Sequence, residues 1–104
     1  MGKSDHLQTL ARMIALAVAH KIGYLIQSDS DYAKKYQKEY MNFMRQAESI
    51  NFLEHWNDFD KEQILQISRK KVTDELSART YLKAEKFTII EKELFNVMHD
   101  LGLL

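Results

Sequence analysis

Four histidines, His6, His20, His55 and His99, are the first residues to ask about chemistry. Two metal ligands share one helical face when they stand three or four positions apart, as in Glu-x-x-His or His-x-x-x-His. None of the four stands in Glu-x-x-His or His-x-x-x-His, and His99-Asp100 lacks the further histidine and aspartate ligands that a metal-dependent phosphohydrolase distributes over a larger helical domain. No metal site is therefore expected. The densest stretch is Glu54-His55-Trp56-Asn57-Asp58. On a helix, Glu54 and Asp58 would be i, i+4 partners and His55 and Asp58 i, i+3. A histidine set beside carboxylates is the arrangement of a general base. The plainer reading is a helix end, with Trp56 packed down and His55 and the acids in water, because connections collect polar residues for conformational reasons. We prefer the plainer reading.

Lys21 is the one charged residue that a helical wheel places inside an apolar arc, between Leu10 and Ile14. A buried lysine with a depressed pKa can act as a base or nucleophile. More commonly its stem lies along apolar surface while the ammonium reaches water or a carboxylate. An acid within reach of that ammonium separates the two readings. Tyr32, Tyr36 and Tyr40 form a ladder interleaved with Lys34, Lys35 and Lys38, letters that also suit stacking on single-stranded nucleic acid. The tyrosines and most of the lysines fall on different sides of a helix, so core aromatics behind a solvated basic face are expected. Arg69-Lys70-Lys71 is a small basic cluster and the main candidate for nucleic-acid contact. A helix-turn-helix laid over residues 61–80 would lack the usual glycine, and its recognition helix would begin with Asp74 and Glu75, which repel phosphates. Gly2, Gly23 and Gly102 are too far apart for a phosphate loop, and no serine sits in a nucleophile elbow. No cofactor is expected.

The elements that must position these residues are helices. The chain has 104 residues, enough for one domain spanning 1–104 and too few for two. It has no proline and three glycines, so it holds helix formers with few breakers and lacks the turn residues of a β-sandwich. Basic and acidic residues balance, which argues against a protein held to nucleic acid by overall charge but not against one with a local patch. There is no cysteine, hence no disulfide and no thiolate metal site. The N-terminus lacks the pattern of a secretory signal. Arg12 and Lys21 would each cost roughly 2.5–3.5 kcal/mol near the centre of a membrane span, so none is expected. A soluble, cytoplasmic protein is the expectation.

Residues 7–26 are the most apolar stretch. Leu7, Leu10, Met13, Ile14, Ala17, Val18, Ile22, Tyr24 and Leu25 share an arc of roughly half the helix. Ala11, Ala15, Ala19 and Gly23 form a small-residue row along one edge, where another backbone can come close. Thr9, Arg12, His20 and Gln27 form the strip left to water. Ser4 or Asp5 is the expected cap of this helix, and Ser28, Asp29 or Ser30 that of the next. Tyr32, Tyr36, Tyr40, Phe43, Ala47 and Ile50 give the second helix its apolar face, which loses phase near Asn51, where Phe52, Leu53 and Trp56 depart from it. Asp60 with Gln63 reads as a capping box, with Phe59 and Ile64 as its hydrophobic staple. Thr73-Asp74-Glu75 reads as a fresh helix start. Leu76, Phe87, Ile90, Leu94, Val97, Met98 and Leu101 give the last helix its stripe, and Gly102 is its C′ residue.

The fold expected is all-α: an antiparallel helical bundle of three long helices and one short helix, at about 5–27, 31–54, 61–71 and 74–101. A helix so widely apolar as the first is central in its own bundle or half of a dimer core. The first functional expectation is accordingly a small protein–protein interaction or regulatory module that self-associates through apolar helix faces, a homodimer being favoured. The second is a nucleic-acid-binding regulator using Arg69, Lys70 and Lys71. The third, an enzyme centred on His55 or Lys21, requires a concave site with a second polar group in hydrogen-bond range.

Overall fold

A computed structural model describes every residue except 1, 28, 29, 81 and 83 and the side chain of Ser30. Among the described residues the chain forms α1 (Lys3–Ile26), α2 (Ser30–Asn51), α3 (Asp58–Ala78), a 3-10 turn (Ala84–Phe87) and α4 (Ile90–Asp100). This is an all-α bundle of three long helices and one short one. Tyr36 meets Gly23 while Glu54 meets His6, so α2 runs antiparallel to α1. Lys3 meets Asp60 and Ala11 meets Ser68, so α3 returns parallel to α1. Glu93 meets Lys21 while Leu101 meets Asn51 at the opposite end, so α4 descends again.

The wide apolar arc of α1 is covered from inside the molecule. α1 packs against α2, α3, α4 and the 3-10 turn. Leu10, Ile14, Val18 and Ile22 are fully enclosed, with Ile64, Val72, Leu76, Leu94, Val97 and Met98 around them. α1 is also long and apolar enough to cross a membrane, a property that core helices share, and here its apolar face is buried in protein. The small-residue row marks the closest approaches. Ser68 of α3 is wholly buried and its hydroxyl donates to the Ala11 carbonyl at 3.3 Å. The ring of Tyr36 lies over Gly23, where a Cβ would stand 2.9 Å from it. His20, expected in the water strip, is instead buried under α2 beside Tyr36 and Phe43, because α2 crosses that edge of α1. Tyr32, expected in the core face of α2, is exposed.

The caps of the second half differ from those expected. α3 begins one turn early: Asn57 Oδ1 accepts from the Asp60 N–H at 2.7 Å, and Asp60 Oδ2 accepts from the Asn57 N–H at 3.1 Å. Asp60 is thus the third residue of a capping box, not its cap, and Phe59 is exposed rather than stapled to Ile64. The expected break between 71 and 74 does not occur. Thr73 Oγ1 donates to the Arg69 carbonyl within the helix, and Ile64, Leu65, Ser68, Val72 and Leu76 make one continuous buried stripe. Leu76 therefore belongs to α3, and Phe87 is exposed in the 3-10 turn. The long third helix is 58–78 and the short one 90–100, the reverse of the expected order of lengths. α1 starts at Lys3 after Gly2, without a side-chain cap from Ser4 or Asp5. The expected caps Ser28 and Asp29, and the side chain of Ser30, lie outside the described residues.

Other ends behave as their letters suggest. Gly102 has φ 73°, and the Gly102 and Leu103 N–H groups donate to the His99 and Met98 carbonyls, the pattern of a Schellman cap. Lys86 is buried and donates to the Arg79 carbonyl at 2.6 Å, placing a cation at the negative end of α3.

Alanine is a better helix former than glycine by about 1 kcal/mol. Even so, Gly23→Ala is expected to destabilise the protein by about 1–3 kcal/mol, because the methyl overpacks against the Tyr36 ring. Urea unfolding of G23A, Tyr36→Ala and the double variant measures this. The loss should largely vanish on the Y36A background.

Candidate functional site

Lys21 is explained by its partner. Its ammonium lies 2.9 Å from Glu93 Oε1 of α4, and the two side chains are 17% and 7% exposed. It also stands 5.8 Å from the centre of the Tyr40 ring. Burial pulls the Lys21 pKa down, but the hydrogen bond and charge of Glu93, with Tyr40 and Tyr24, outweigh it and hold the pKa above its ordinary value. A base or nucleophile needs a depressed value. Lys21 instead joins α1 to α4 as half of an ion pair.

Glu54, His55 and Asp58 are not gathered into one site. α2 ends at Asn51, so these residues lie in the connection to α3 and at its first position, not on one helical face. Glu54 turns to α1, where its Oε1 lies 2.7 Å from His6 Nδ1. His55 and Asp58 are exposed, and Trp56 is buried. The basic cluster also divides. Arg69 grips Glu91 through two hydrogen bonds, at 2.6 and 3.1 Å. Lys71, about 200° further round the helix, lines a cleft with Arg12, Asp74 and Glu75, where the charges are mixed. Lys70 is exposed between them.

One polar constellation emerges that the letters did not point to. His20 Nδ1 lies 2.6 Å from the Leu16 carbonyl and Nε2 lies 2.7 Å from Glu39 Oε2. The pair sits in a cleft of about 230 Å³ lined also by Tyr32, Lys35, Tyr36 and Arg79. Both ring nitrogens are taken up by neighbouring oxygens, and through Glu39 the imidazole links α2 to α1. Lys21, Glu54, His55 and Asp58 do not line this cleft. Among the described residues, no three His, Asp or Glu side chains are placed to hold a metal ion.

The surface that core-building leaves unexplained is the corner between α2 and α3. Phe52 is 92% exposed, Leu53 60% and Phe59 69%. Other exposed apolar residues, such as Leu25 in α1 and Met41 in α2, are separated from one another along the chain, and exposed apolar residues of this kind are ordinary. Here three large apolar side chains occur within residues 52–59, on a backbone held from several directions. Trp56 Nε1 donates to Asn51 Oδ1 at 2.8 Å, and Asn51 Nδ2 donates to the Leu101 carbonyl at 2.9 Å. His6 holds Glu54, and Lys3 Nζ lies 2.8 Å from Asp60 Oδ2 and 5.8 Å from the centre of the Trp56 ring. The loss of phase after Asn51 was the signal in the sequence. It marks residues that leave the core face, but not whether they find another one.

Two sets of variants test these assignments. Lys21→Met or Glu93→Leu alone should cost about 3 kcal/mol in urea unfolding, since each strands a buried charge, and the double variant should cost less than either. The response to pH should be two-sided. Lys3 and then the Asn57 N–H hold the Asp60 carboxyl below its ordinary pKa, and Arg69 does the same for Glu91. Their stabilisation is present above the ordinary carboxylate range and is lost as pH falls through the lowered values. The Lys21 contribution is complete below the ordinary lysine pKa and is lost as pH rises through the raised one. Denaturation midpoints across pH should therefore fall at both ends, with Asp60→Asn blunting the acid limb only.

No family model matches this chain, and no curated protein or solved structure is significantly similar to it, so its functional reading rests on its own surface.

Proposed function

We propose that this protein is a small interaction module that engages a partner through the corner bearing Phe52, Leu53 and Phe59. The observation that supports this most directly is the 92% exposure of Phe52, with Leu53 of the same connection and Phe59 at the start of α3 also exposed. Clustered apolar exposure costs solubility, and such clusters mark places where a surface is covered by something else. Aromatic anchors held in place before binding lose little conformational entropy on association. The apolar face of α1, whose width made a homodimer the first expectation, is consumed by its own bundle. Phe52, Leu53 and Phe59 are among the exposed large apolar residues that remain outside that bundle.

A photo-crosslinking amino acid placed at Phe52 in the native cell tests the reading. One dominant adduct is expected, lost when Leu53→Ser and Phe59→Ser are added and absent when the crosslinker stands at the exposed Lys92. An adduct pattern indistinguishable between positions 52 and 92 would sink the proposal. Each serine variant should change folding stability by less than about 0.5 kcal/mol, because these side chains are already in water.

A further inference from the structure

We draw no further inference here: the strongest candidate, the exposed apolar turn of Phe52, Leu53 and Phe59 at the corner between α2 and α3, is the surface already described, and nothing in the structure shows what covers it.

Discussion

Covering α1 is the constraint on which the rest of this structure depends. More than half of its circumference is apolar, so one neighbouring helix cannot remove it from water. α2, α3 and α4 each take part of that surface, and Leu10, Ile14, Val18 and Ile22 end fully enclosed. The small residues decide how close each neighbour comes. Gly23 admits the Tyr36 ring, and the Ala11 carbonyl receives the Ser68 hydroxyl without stranding it in the core. Lys21 is tolerated in this environment because α4 brings Glu93 to it. The ion pair is a consequence of the packing, and it also ties the packing together.

The corner follows from the same arrangement. With α1 at the centre, its first two turns stand beside the α2–α3 connection, where Lys3 and His6 reach Asp60 and Glu54. Trp56 turns inward and takes the available space. Phe52, Leu53 and Phe59 are left on the outside of a turn whose backbone is already committed by the Asn51 bridges and the Asn57–Asp60 capping box. The exposed apolar side chains there stand on a backbone that these contacts tie to α1 and to the C-terminal end of the chain. That combination separates this corner from the single exposed residues elsewhere and gives the interaction reading its physical basis.

The polar candidates illustrate why residue type is a weak guide to chemistry in a helical bundle. Lys21, Glu54, His6, His20 and Arg69 all carry groups capable of chemistry, and each is paired with a group from another element or the backbone. Their common effect is to hold α1, α2, α3 and α4 to one another. His20 shows this most clearly, since its two ring nitrogens lie beside the Leu16 carbonyl of α1 and the Glu39 carboxylate of α2 and the ring joins the two helices.

Much of the architecture was legible in the letters because it rests on interactions within a few residues along the chain. The absence of proline, the periodic apolar positions and Gly102 at a helix end specify helices through i to i+4 bonding and end geometry, and the width of the α1 arc marks it as the centre of its own bundle or half of a dimer core. Where two local signals competed, the tertiary structure decided. Asn57 and Asp60 are both good caps, and Thr73 can start a helix or continue one. The choice went to the arrangement that buried Trp56 and joined Ile64, Val72 and Leu76 in a single stripe. The partner of Lys21, the burial of His20 and the exposure of Phe52 depend on which helices lie side by side. That is set by contacts between residues tens of positions apart, which no local pattern encodes.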